Sequence, residues 1–367
     1  MSSDIEHNPV EIQSLDQLVE YFRAGEKPVE DRGIGTEHEK FVFRRSDYKI
    51  VSYEEEGGIG DMMEEFAECY HCRAEYDGDN IVAVKEDGAA ITLEPGGQLE
   101  LSGYITKTVH ETDTEVVKHI ENVKKIAGDR VVLTSWGLNP FFAPEDIPWM
   151  PKSRYGIMRD YLPTRGDLAH WMMKLTCTIQ ANFDYTSEED AADLVRTALL
   201  VSPIVSALFA NSPIKNGEPV GMQTYRGFLW TDTDPDRTGW PEFMYRKDWG
   251  YRDYLEYILD VPMFFIKRDG GYIDKSGDSF REFIEHGHEG HSATIGDFEL
   301  HLSTAFPEVR MKKFVEVRGA DGGPLEHITA LPALWKGLLY HQPTREKAAA
   351  MLADVSPERH RRLFMDV

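Results

Sequence analysis

From Lys174 to Asp184 the chain alternates without a break. Lys174, Thr176, Thr178, Gln180, Asn182 and Asp184 share one parity, and Leu175, Cys177, Ile179, Ala181 and Phe183 share the other. Successive strand side chains point to opposite faces, so the run predicts a strand with one side in a core. The polar side is mostly short and neutral, whereas a solvated face usually carries long charged groups. Thr178, Gln180 and Asn182 are therefore candidates to line a site.

The stretch Gly33–Arg44 reads GIGTEHEKFVFR. As a strand it places Glu37 and Glu39 with Phe41 and Phe43, while His38, Lys40 and Arg44 point the other way. An unpaired buried carboxylate is costly, so the acids need a counter-charge. In FVEVRGADGG, Glu316 and Arg318 share a face opposite Val315 and Val317, and the glycines that follow allow close backbone approach to a ligand. In TLEPGGQLELSG, Glu94 and Glu100 flank a Pro-Gly-Gly kink. Glu37, Glu39, Glu94, Glu100 and Glu316 are thus expected on strand positions. If they converge, hard oxygen ligands with few Cys or His suit Mg²⁺ or Mn²⁺. Neither G-x-x-x-x-G-K-[ST] nor a strand-borne G-x-G-x-x-G is present. A nucleotide would be held through metals and basic side chains, with Lys152, Arg154, Arg226, Arg310 and Lys312 as candidates.

The order of elements mixes strands and helices without a βαβ rhythm, which predicts an α+β fold with an antiparallel or mixed sheet. Strands are expected at 33–45, over 79–102 with turns at Glu86-Asp87-Gly88 and Pro95-Gly96-Gly97, at Arg130–Trp136 and at 312–318. Helices are expected at 11–25 after Ser14, at 60–71, after a Thr112-x-x-Glu115 capping box up to Gly128, and from Ser187 to about Asn211 with a kink at Pro203. A loop rich in Pro, Trp and Phe covers Gly137–Pro151. No linker divides the 367 residues, so one domain spanning 1–367 is expected.

A net charge of −24 argues against nucleic acid and anionic membranes as partners. No uninterrupted apolar stretch reaches membrane-spanning length. The N-terminal MSSDIEHNPVEIQ is acidic and has no apolar run, unlike a signal or transit peptide. With an odd count of three cysteines, this points to a reducing, cytoplasmic setting. Cys69-x-x-Cys72 has no second cysteine pair and reads as ordinary thiols rather than a zinc site.

The segments GTEHEKF, LEPGGQLELSG, RYGIMRDYLP, TCTIQANFDY, ALFANSP, WTDTDPDRTG, LDVPMFF, FPEVR and FVEVRGADGG occur in that order between about Gly33 and Tyr340. In this the chain resembles glutamate–cysteine ligase of the plant and proteobacterial type. The resemblance implies a fold like the catalytic domain of glutamine synthetase, a curved sheet forming an ATP and metal tunnel with surrounding helices. It implies ATP-dependent ligation of L-glutamate to L-cysteine through a γ-glutamyl phosphate; a related ligase with another amine substrate, or a non-catalytic metal- or nucleotide-binding relative, is the alternative. Glu37, Glu39, Glu94, Glu100 and Glu316 match family metal ligands, and Gln180 falls where distant ligases of this fold carry a ligand. Arg318 is placed to stabilise the transferring phosphoryl group, and Arg226 and Arg154 to clamp substrate carboxylates. A monomer or weak homodimer is expected. Plant members use regulatory disulfides, but no cysteine follows Cys177, so no such switch is expected. The chain ends soon after a helix near 344–365, so a reduced C-terminal region is expected.

Three features compete for attention. EHGHEGH, residues 285–291, holds three histidines but reads as a glycine-rich surface loop. WTDTDPDRTG has calcium-like spacing, yet Arg237 and Phe243 stand where an EF-hand needs Gly and Glu; it reads as a turn-rich loop near the substrate. Trp136, Trp149 and Trp171 read as packing residues.

Overall fold

Strand-forming alternation places the polar-faced segments in one antiparallel sheet of nine strands. In the computed structural model, which describes residues 8–86 and 88–367, these strands are β1 (Ile34–Arg44), β2 (Arg73–Asp77), β3 (Asn80–Glu86), β4 (Ala89–Leu93), β5 (Leu99–Ser102), β6 (Val131–Thr134), β7 (Thr178–Phe183), β8 (Val309–Met311) and β9 (Val315–Asp321). The start of the acidic N-terminal stretch, up to His7, and Asp87 of the predicted turn lie outside the described residues. The strand order is β8-β9-β7-β1-β5-β4-β3-β2, and β6 pairs with the far half of β1. All these pairings are antiparallel, which removes the mixed-sheet option for this sheet. The register sets Glu37 opposite both Ser102 and Gln180, Glu39 opposite Glu100, and Glu316 opposite both Asn182 and Arg310. The glutamates of three strands therefore fall on one face, here termed the front.

The back face is the core side. The helices α2 (Ile59–Tyr70), α3 (Val109–Ala127), α6 (Glu188–Leu208) and α11 (Leu325–Leu339) pack on it. Ile179, Ala181 and Phe183 join Val315, Val317 and the apolar residues of α6 and α11 in one cluster, and Val42, Leu99 and Leu101 join Met63, Phe66 and Val123 in another. Burying each such side chain stabilises the fold by about 1.5–3 kcal/mol. The front is covered by α4 (Ser153–Tyr161), α5 (Ala169–Leu175), α7 (Tyr225–Trp230) and α10 (Ile295–Ser303), with α8 (Tyr251–Asp260) and α9 (Phe280–His286) behind α10. A first helix, α1 (Leu15–Arg23), follows its Ser14 cap as expected.

Several boundaries differ from the sequence expectation for identifiable reasons. The strand foreseen from Lys174 starts only at Thr178, because Lys174 and Leu175 end α5. The Gln98 side chain donates to Met173 O and Thr176 O there, supplying carbonyl partners that a helix end needs. The cap of α3 lies one turn earlier, with Thr108 and Glu111 exchanging hydrogen bonds. Thr112 is buried and bonded to Thr106, and Glu115 accepts from the Tyr104 backbone. The strand expected at 312–318 is a hairpin of β8 and β9 instead, and Arg130–Trp136 contracts to Val131–Thr134. Helix α6 ends at Leu208, with Pro203 inside it. The helix near 344–365 is two, Gln342–Met351 and Pro357–Met365. Helix α6, although interrupted by Asp193 and Arg196, is long and apolar enough to cross a membrane, with mean hydropathy 1.5, but 78% of that window is buried within the protein.

Candidate active site

The front face opens into a cavity walled by Glu37, Glu39, Glu94 and Glu100 on one side and Arg226, Arg310 and Arg318 on the other. Arg154, Thr178 and Gln180 complete its polar wall. Met158, Met172, Met173, Phe265, Leu300 and Phe306 make an apolar end.

The carboxylate side is under-compensated. Burial first, then repulsion from Glu94 and Glu100, raises the Glu39 carboxyl well above its usual range, although Thr178 N donates to Glu39 Oε2 at 3.0 Å. Burial and Glu100 push Glu94 up to about 7, and Glu94 Oε1 has no hydrogen-bond partner. Glu100 accepts from Thr92 Oγ1 at 3.1 Å and Ser102 Oγ at 2.9 Å. Contrary to the expected strand position, Glu94 lies just past β4, at the turn into Pro95, because the ladder ends at Leu93. Paired buried acids with an orphaned oxygen form a site that a hard cation would settle. No cluster of three or more His, Cys, Asp and Glu forms a ready-made metal centre among the described residues. The buried acids and the orphaned Glu94 oxygen fit a hard divalent cation such as Mg²⁺, whose remaining positions phosphate oxygens and water would complete.

The guanidinium side is organised around Glu316, which is fully buried. Arg310 Nη2 donates to both its oxygens at 2.8 and 2.9 Å and Arg310 Nε to Oε2 at 3.1 Å, Lys312 lies 3.3 Å away, and Arg318 Nη1 donates to it. Burial alone would raise Glu316, but these three cations outweigh it and hold its carboxyl well below the usual range. Its oxygens are engaged by these cations and it does not line the cavity, unlike the other four glutamates named as metal ligands. Gln180 is likewise engaged, its Oε1 accepting from Arg318 at 2.9 Å.

The other predicted residues divide similarly. Arg226 lines the cavity and is anchored to Gly319 O and Arg318 O, and burial lowers its pKa. Arg154 lines the cavity with its guanidinium 5.4 Å from the Tyr155 ring. Lys152, Lys312 and Asn182 do not line it: Lys152 donates to Leu93 O, Lys312 turns to Glu316, and Asn182 Nδ2 donates to Glu37 Oε1 at 2.7 Å. The Thr178 hydroxyl bonds the β9 backbone at Ala320 O.

Sequence reasoning missed Glu308 and Asp321. Glu308 is pushed up to about 7 by burial, against the opposing pull of Arg226 and Arg318. Asp321 accepts from Asn211 N, Ser212 Oγ and Thr224 Oγ1, fixing the start of α7 and hence Arg226. Both lie inside the FPEVR and FVEVRGADGG segments, where neighbouring residues drew the attention. Trp230, rather than Trp136, Trp149 or Trp171, lines the cavity. The histidine loop forms no metal cluster among the described residues, and in the aspartate-rich loop Asp234 pairs with the buried Arg237 at 2.8 Å.

A profile of glutamate-cysteine ligase family 2 matches residues 33–367. Chloroplastic glutamate–cysteine ligase of Brassica juncea is 42% identical over 346 residues, covering 93% of this chain and 67% of that enzyme. The Medicago truncatula enzyme is also 42% identical, over 92% of this chain and 66% of its own length. Glutamate–cysteine ligase of Francisella tularensis in complex with AMP superposes with a TM-score of 0.48 at 13% identity, over 92% of this chain and 74% of that one. A bifunctional glutathione synthetase from Pasteurella multocida gives 0.45 at 15% identity, over 94% and 43%. The cytoplasmic expectation is overturned, since these plant relatives are chloroplastic enzymes. On the family match and the extent of identity to the plant enzymes, the chain belongs to glutamate–cysteine ligase family 2.

Proposed function

We propose that the chain joins the side-chain carboxylate of L-glutamate to the amine of L-cysteine with ATP as co-substrate, giving γ-glutamylcysteine, the first step of glutathione-type thiol biosynthesis. The observation that carries this reading is one cavity with under-compensated carboxylates facing a set of arginines. In this reading Glu39, Glu94 and Glu100, with Glu37 beside them, hold Mg²⁺ or Mn²⁺. A divalent cation held there neutralises and orients phosphate oxygens. Arg318 stabilises the charge on the γ-phosphoryl group as it moves to glutamate. Glu316 and Gln180 serve as positioning residues, holding the Arg318 guanidinium in its plane. Arg226 and Arg154 bind amino-acid carboxylates through their forked donors. The cysteine amine then attacks the acyl carbon, and phosphate leaves.

The cavity encloses about 150 Å³, below the ~300 Å³ at which small-molecule sites begin. The same reading takes residues 1–367 as a single catalytic domain of glutamine synthetase-like fold, acting as a monomer or weak homodimer. The test is ADP release with glutamate and Mg²⁺, screened over the amino acids as second substrate. Cysteine should give the highest kcat/KM. A higher value with another amine would change the product, and no glutamate-dependent ADP release would remove the reading.

A further inference from the structure

Lys40 is the side chain the catalytic reading leaves unexplained. It projects from the back face of β1 and is 5% exposed. Its Nζ meets His38 Nδ1 at 2.5 Å, and it forms no salt bridge to a carboxylate among the described residues. Burying an ammonium without counter-charge is costly unless something supplies one. A cavity of about 540 Å³ opens beside it, between β6, the second half of α3 and the start of α11. That volume is in the range of small-molecule sites.

The chemistry of the walls is directional. Lys124 and Arg45 add two cations at the rim, and Asp129 is the acid among the lining residues. Gly323, Pro324 and Leu325 bring the first turn of α11, whose backbone dipole favours an anion. Ile120, Val123, Leu133, Leu325 and Ile328 give the surface a hydrocarbon stretch, and Thr134 and Ser135 of the β6 side add hydroxyls. We propose that this cavity binds a small amphiphilic carboxylate, its acid group beside Lys40 and its apolar body against α3 and α11. The site lies on the opposite face of β1 from Glu37 and Glu39, and it does not depend on the catalytic reading.

The test is calorimetric titration of the full chain with sodium octanoate, beside 1-octanol and inorganic phosphate as apolar-only and charge-only probes. Octanoate should bind saturably, at least tenfold tighter than either control, and raise the melting temperature. Lys40→Met should lose at least tenfold in octanoate affinity. Lys124→Glu, an exposed change that leaves the core untouched, should lose several-fold and keeps the proposal testable if Lys40→Met fails to fold. Octanoate affinity unchanged in Lys124→Glu, or octanol binding as tightly as octanoate, would overturn the proposal.

Discussion

The two faces of β1 bury charge in opposite ways. On the front, every charged group stands near an opposite charge or a like charge that a cation would settle: Glu316 among three cations, and Glu39 beside Glu94 and Glu100. On the back, burial instead drives side chains toward their neutral forms. It lowers Lys40 to about 7 and His119 to about 3, and Lys40 and His119 reinforce it in holding His38 well below its usual value. Alternation alone sets residues one position apart into these two regimes. A charge kept charged in a dry site is available for electrostatic work on a ligand; His38 and His119, driven neutral, are chiefly packing, while Lys40 stays protonated only where a ligand supplies the counter-charge.

The largest expected effect comes from breaking the front-face network at Arg318. Arg318→Lys keeps a charge but loses the planar guanidinium, whose Nη1 binds Glu316 and Gln180 and whose other nitrogens are left to act on a ligand. A kcat loss on the order of 10²–10³-fold is expected, with kcat/KM falling in parallel. Arg310 and Lys312 still hold Glu316, so the melting temperature is expected to shift little. Steady-state kinetics beside a thermal melt decides the matter. A rise in glutamate KM with kcat intact would recast Arg318 as a substrate clamp, and a collapse of the melt would make it structural.

Next in size are Glu39→Gln and Glu94→Gln. Each removes one proposed cation ligand while relieving like-charge repulsion between buried acids. Activity is expected to fall roughly 10–100-fold, with more Mg²⁺ needed for half-maximal rate. The folded protein is expected to gain stability without metal. Unchanged Mg²⁺ dependence in both variants would remove the carboxylate row from metal binding.

How much of this comparison the sequence carried depends on range. Alternation is a local signal, so the polar and apolar faces of β1 and β7 were legible, and with them Glu37, Glu39, Arg318 and the α+β class. Which oxygens stay open is decided by partners far along the chain. Arg310 and Glu316 meet only because a hairpin turns at Lys312–Phe314, and no spacing rule announces that Glu316 is consumed there. The acids of the front face were visible for the same reason that Lys40 was overlooked. Carboxylates clustered on strand positions suggest a cation, whereas one lysine on the opposite face of the strand carries no cluster to mark it.

A third, smaller effect is in pH-dependent stability, and its sign follows from Glu94. Folding raises this carboxyl from 4.5 to about 7, so the folded state favours the protonated form. That contribution is full below about pH 4.5 and is lost as pH rises through about 7. Glu39 is shifted in the same direction. Without metal, the melting temperature is expected to fall by several degrees across this window, and Mg²⁺ is expected to restore it at pH 8 but hardly at pH 5. Equal Mg²⁺ stabilisation at the two pH values would separate the ion from these carboxylates.

The smallest effect is expected on the back face, where the comparison can be broken most cleanly. His119 packs edge-on to His38 and tilted against Phe66, and its Nε2 has no hydrogen-bond partner. With a pKa lowered to about 3 by burial and by Lys40, its ring is neutral across the working range. His119→Leu then exchanges an unsatisfied buried polar group for an apolar one of similar size, a change that is nearly neutral or stabilising. A melting temperature unchanged or raised by about 1–2 °C is expected, with kcat and Mg²⁺ dependence unaltered. A melt lowered by several degrees would mean that His119 supports Lys40 and His38 as part of a working polar cluster. The two faces of β1 would then differ in the sign of their charges rather than in whether those charges are kept.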